Sequence, residues 1–81
     1  MEQSPVSIIE TKVKANGDPF VYWTYQYTTL ICFVNLRKKG IGFEIIGGIK
    51  GTPRSSIHIS DQPFSIVVSK SGRNVEVFWE I

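Results

Sequence analysis

The chain has 81 residues, of which 42 % are hydrophobic and 20 % charged, with a formal net charge of +2 and a single cysteine. That length supports one core and one domain over residues 1–81, and excludes two independent cores. No apolar run is long and charge-free enough for a transmembrane helix, and Met1–Pro5 lacks the basic start and apolar centre of a signal peptide, so an intracellular, cytoplasmic protein with no membrane partner is expected.

In chain order, Val6–Ala15 alternates as a strand, with Val6, Ile8 and Val13 among Ser7, Thr11, Lys12 and Lys14. Asn16-Gly17 follows, and both residues tolerate the positive φ of a two-residue hairpin turn. Pro19 opens a second strand where its missing N–H costs no ladder bond. That strand, Phe20–Tyr27, begins the stretch FVYWTYQYTTLICF, which holds Trp23, all three tyrosines and two phenylalanines. Aromatic and β-branched side chains lose freedom in a helix but pack well on a pleated surface. Trp23, Tyr25 and Tyr27 share one face, and Phe20 and Tyr22 the other. The sequence leaves open which face is core.

Thr28-Thr29 is expected to kink the chain. Beyond it a strand runs towards Leu36, with Cys32 as a small buried hydrophobe in a reducing setting. Arg37-Lys38-Lys39-Gly40 reads as a turn, Ile41–Ile46 as a strand with Ile41, Phe43 and Ile45 inward and Glu44 outward, and Gly47-Gly48 as its close. Ile49–Ser55 reads as a loop carrying Lys50 and Arg54. Ser56–Ser60 is a short strand with Ile57 and Ile59 on one face and His58 on the other. Asp61-Gln62-Pro63 turns the chain into a last hairpin, Phe64–Lys70 and Asn74–Ile81, in which Val75, Val77, Trp79 and Ile81 alternate against Glu76, Phe78 and Glu80. Six to seven short strands without a substantial helix predict an all-β fold. A small antiparallel barrel, closed or partly open and OB-like, or a compact sandwich is expected, with closure favoured because an open sheet leaves hydrophobic edges unpaired.

Chemistry is sparse. One histidine and one cysteine far apart give no metal-ligand spacing, the carboxylates are scattered singly, and the glycines punctuate turns rather than open a helix. No enzyme activity, metal or cofactor is expected. Single-stranded nucleic acid is held by aromatic faces that stack bases and by cations that follow the phosphates. The Trp23, Tyr25 and Tyr27 ladder, with Arg37, Lys38 and Lys39 and with Lys50 and Arg54, offers such a set if that face is exposed.

Lys39-Gly40-Ile41-Gly42-Phe43 resembles the first nucleic-acid-binding motif of cold-shock domains, and Ser56-Ile57-His58-Ile59-Ser60 is similar to their second. Those domains are OB-fold barrels, and the resemblance implies stacking by Phe43 and His58 and a phosphate contact at Lys39. Ile41 and Ile59 stand where the family has aromatics. The run Gly17–Leu36 has a fainter likeness to the small dimeric single-strand-binding proteins of filamentous phages. Two functions follow as expectations: a weakly sequence-specific binder of single-stranded DNA or RNA, or a non-enzymatic protein-interaction or self-assembling β module in which the surplus aromatics form a homodimer or partner interface.

Overall fold

A computed structural model describes residues 7–81. They form seven strands: β1 (Ser7–Val13), β2 (Pro19–Gln26), β3 (Phe33–Lys39), β4 (Gly42–Ile49), β5 (Thr52–Ser60), β6 (Phe64–Val68) and β7 (Asn74–Glu80), with no helix among the described residues. The expected start of the first strand at Val6 lies outside them. The strands make two antiparallel sheets, sheet A in the order β1-β2-β7-β6 and sheet B in the order β3-β4-β5.

The ladders do not close. Among the described residues β1 and β6 remain the edges of sheet A, and β3 and β5 those of sheet B, so the favoured closure into a barrel does not hold there. The edges are left because the chain leaves sheet A after Gln26 and crosses to the other layer. Backbone bonds pin this crossing to both sheets: Tyr27 N donates to Arg73 O (2.6 Å), Ile31 N to Gly72 O (2.6 Å) and Cys32 N to Gly48 O (2.9 Å).

The two sheets face each other across a core of Trp23, Tyr25, Tyr27, Val75 and Val77 from the sheet A side and Ile45 and Ile59 from sheet B. The aromatic run thus resolves into a core wall on its Trp23 face. Each such ring removes roughly 150–250 Å² from water, so at about 25 cal/mol per Å² this single strand face makes the largest apolar contribution of any element. Two of the three polar tips are hydrogen-bonded. Trp23 Nε1 donates to Ser7 Oγ (2.9 Å), and Tyr25 Oη donates to the Arg54 carbonyl (3.1 Å), tying β2 across the interior to β5.

The Asn16-Gly17 hairpin forms at the expected place but as a three-residue Ala15-Asn16-Gly17 loop rather than a two-residue turn: Lys14 N donates to Asp18 O (2.8 Å), Gly17 N donates to Lys14 O (2.9 Å), and only Gly17 takes a positive φ, 95°. Three further connections differ from the sequence reading. Arg37, Lys38 and Lys39 lie inside β3, and the turn is Gly40-Ile41, with Gly40 at φ 59° and Ile41 fully outside at 86 % exposure rather than inward. Gly47 and Gly48 lie inside β4, at a register shift opposite β5, instead of closing the strand. The expected loop at Ile49–Ser55 is a tight Lys50-Gly51 turn, after which β5 is already paired at Thr52. All three errors share a cause. Cross-strand pairing from a neighbour holds Gly and Lys residues, and the Thr52–Ser55 stretch, extended where local propensity favours a turn or loop.

Candidate interaction surfaces

Burial corrects the stacking ladder. Trp23, Tyr25 and Tyr27 are only 2 %, 7 % and 2 % exposed, packed ring to ring between the sheets, so none of the three has a face to offer a base. Phe43 is also turned inward. It pairs with Ile59 across the ladder and its ring lies 5.8 Å from that of Phe64, so it is half-buried and not on the solvent face where stacking needs it. Cys32 is exposed rather than buried, since it precedes β3 on the crossing segment, where strand alternation no longer sets direction.

The cationic candidates fall mostly on sheet B. Register places Arg37, Glu44 and His58 side by side on its outer face, with Lys39 beside Gly42 and Ser60 at one end. Arg37 bonds Glu44 at 2.8 Å, Lys39 lies 3.3 Å from the same carboxylate, and His58 Nε2 is 3.1 Å from the Lys39 carbonyl. The Arg37 hydrogen bond, helped by Lys39 and opposed by partial burial, holds the Glu44 carboxyl below its ordinary range. Arg54 lines a shallow polar depression with Arg37, Glu44 and Ser56. Lys38 points to the other face at the exposed end of β3, and Lys50 is exposed in the β4–β5 turn. The structure therefore gathers Arg37, Lys39, Arg54 and His58 but puts no ladder of aromatics beside them.

The aromatic surface lies on the opposite side of the molecule, made by residues outside the sequence-derived set. On the outer face of sheet A, register aligns Lys12 with Phe20, Glu10 with Tyr22, and Tyr22 with Phe78. Phe20 and Phe78 meet edge to face with centroids 6.4 Å apart, and the Lys12 ammonium sits 4.0 Å from the Tyr22 ring centroid. Lys14 is ion-paired with Glu80 beside them. Two shallow clefts flank the Phe20–Phe78 contact. Partial burial, with the Glu76 and Glu10 carboxylates close by, pushes the Tyr22 phenol above its ordinary value despite a hydrogen bond to Thr24. Strand parity alone separates Phe20 and Tyr22 from Trp23. Choosing the outward face needs the second sheet, and that signal is absent from any one strand.

The third surface is β1 itself. All seven of its residues are exposed although its inner face alternates as Ser7, Ile9, Thr11 and Val13. Ile9 is 64 % and Val13 65 % exposed, and no residue of β1 belongs to the core cluster between the sheets. Among the described residues nothing pairs with the outer edge of β1. Nor is there, among them, any group of three or more His, Cys, Asp or Glu able to hold a metal, or a helix long and apolar enough to cross a membrane. No protein-family model, curated protein or solved structure matches the chain.

Proposed function

We propose that the chain is a non-enzymatic β module that self-associates through sheet A. The observation that carries this reading is β1: a strand whose inner face leaves Ile9 and Val13 in solvent and which, among the described residues, is open along one backbone edge. Such an edge is a template for another strand, and proteins that keep it unpaired blunt it with Lys and other charges, Pro, bulges or inward-pointing charges; β1 carries Glu10 and Lys12 on its outer face only. β1 has none of these on its inner face, where Ile9, Thr11 and Val13 follow one another. A domain of this length buries a modest fraction of its surface, so pairing the edge adds burial where the monomer lacks it. Sedimentation equilibrium from about 1 to about 200 µM should show a reversible rise in mass with concentration. A strict monomer throughout that range removes the reading.

A second reading, binding of single-stranded DNA or RNA by an OB-like module, is favoured by one arrangement, namely Phe20, Tyr22 and Phe78 within reach of Lys12 and Lys14. Three features weigh against it. Glu10, Glu76 and Glu80 outnumber the lysines on that face, both lysines are already engaged, and the cations of sheet B are across the core. The cold-shock likeness adds little, because Phe43 faces Phe64. Titration of a labelled oligo-dT or oligo-U at low salt decides it: binding that Tyr22→Ala weakens by about 1–3 kcal/mol supports stacking on this face, and no binding at any salt sinks it.

A further inference from the structure

Self-association through sheet A, proposed above, leaves open how two copies meet; we infer that β1 pairs antiparallel with β1 of a second copy about a two-fold axis through Thr11. The inference rests on that reading and adds a register to it.

The backbone phase comes first. Val13 lies opposite Pro19, which has no N–H, so these two cannot form a doubly hydrogen-bonded pair. One residue on, Lys14 N does donate to Asp18 O (2.8 Å). Antiparallel ladders alternate bonded and non-bonded pairs. Lys12, Glu10 and Ile8 therefore direct their N–H and C=O groups towards β2, and Ile9, Thr11 and Val13 direct theirs off the open edge.

Side chains then choose the axis. Residues directly opposed in an antiparallel pair share a face, so the two-fold must pass through a residue and not between two. Centred on Glu10 it sets Glu10 against Glu10, and centred on Lys12 it sets Lys12 against Lys12, both unfavourable like-charge pairs. Centred on Ile9 it leaves Val13 and Lys12 without matched partners. Centred on Thr11 it places Ile9 against the partner's Val13, Glu10 against the partner's Lys12 and Thr11 against its own copy, each pair occurring twice or lying on the axis. Hydrophobic, opposite-charge and Thr–Thr pairs are the favourable cross-strand combinations. The open backbone groups at Ile9, Thr11 and Val13 are then the ones that bond across the axis. The 64 % exposed Ile9 and 65 % exposed Val13 of each copy form one apolar cluster, and the two four-stranded sheets become a continuous sheet. The contact is isologous and closes on itself, so it stops at two chains.

The test uses the full chain with Cys32→Ser to remove the native thiol. Thr11→Cys in that background brings two cysteines together on the axis with Cα atoms about 5.5 Å apart, inside disulfide reach. Under mild oxidation it should yield a covalent dimer at least about ten-fold faster than Val67→Cys, likewise an exposed position, on the other edge strand, β6. In parallel, Glu10→Lys should weaken the dimer about ten-fold in sedimentation at low salt, and Glu10→Lys with Lys12→Glu should restore it. A dimer that crosslinks no faster at Thr11 than at Val67, or that the charge swap does not restore, overturns the register and leaves self-association standing. A wild-type chain that stays monomeric overturns both. A monomer whose Thr11 amide is protected at all dilutions also overturns the inference, since the edge is then occupied within the single chain.

Discussion

Gly47 lies within β4 opposite the tip of Tyr27, and this contact makes a sharp prediction. A Cβ built on Gly47 meets Tyr27 Oη at 2.5 Å, Tyr27 Cζ at 3.5 Å and the Phe33 carbonyl at 3.7 Å. Only the hydroxyl is too close. It cannot swing clear, since Tyr27 is 2 % exposed and its ring is held against Tyr25 at 4.4 Å. Gly47→Ala should therefore destabilise by about 1–3 kcal/mol, the usual range for overpacking a tight core, or roughly 4–8 °C in Tm per kcal/mol for a domain of this size. Tyr27 Oη also lacks a hydrogen-bond partner among the described residues, so Tyr27→Phe removes an unpaired buried hydroxyl and should be neutral or stabilising by up to ~1 kcal/mol. In the Tyr27→Phe background the new methyl meets only the ring edge, and φ at Gly47 is not positive. There Gly47→Ala should gain up to about 0.5–1 kcal/mol from the stiffened unfolded chain. Urea unfolding of the four proteins gives the coupling directly. We expect at least ~1 kcal/mol. Additive effects within about 0.5 kcal/mol would show that the hydroxyl and the glycine do not share this space.

Further outcomes follow from the same geometry. Burial, assisted by Tyr25 and opposed by Arg54, pushes the Tyr27 phenol up to about 12. The folded chain then holds this proton where the unfolded chain releases it, so stability is unaffected below about pH 10 and falls as pH rises from there towards 12. Denaturation at several alkaline pH values should show a shallower fall in Tyr27→Phe, and identical slopes would contradict the assignment. Ile59→Ala should lose about 2–5 kcal/mol in urea unfolding, because Ile59 is 1 % exposed between the layers; a loss below ~1 kcal/mol would place it outside the core. Cys32 should react with a thiol reagent under native conditions at close to the rate of the unfolded chain. Protection until unfolding would mean that the crossing segment is covered.

What the sequence could disclose was whatever a single strand decides by itself. The place of the first hairpin at Asn16-Gly17, the entry at Pro19 and the alternation of Val75, Val77 and Trp79 against Glu76 and Phe78 are local, and all three appear in the structure, although the hairpin closes with a three-residue loop rather than the two-residue turn expected. The face of β2 that turns inward is not local. Both faces are aromatic, and only the placement of Ile45 and Ile59 on the second sheet makes Trp23, Tyr25 and Tyr27 the core. Gly47 and Gly48 misled for a related reason: their turn-like propensity is overridden by pairing on both sides, and Gly47 is there to admit Tyr27. The candidate cations were identified as residues, but their setting was not, because the Arg37 and Lys39 pairing with Glu44 depends on a cross-strand register. The exposed edge of β1 could not be seen at all. Its alternation promises a buried face, but the core cluster takes no residue from β1 and leaves Ile9 and Val13 in water.

Amide hydrogen exchange at Ile9, Thr11 and Val13, followed as a function of protein concentration, tests self-association through sheet A most directly. These amides point off the open edge of β1, away from β2. They should exchange at nearly unstructured rates in dilute solution and become protected as concentration rises, while Lys12 and Glu10 stay protected throughout by their bonds to β2. Equal, fast exchange of Ile9, Thr11 and Val13 at every concentration would contradict the account.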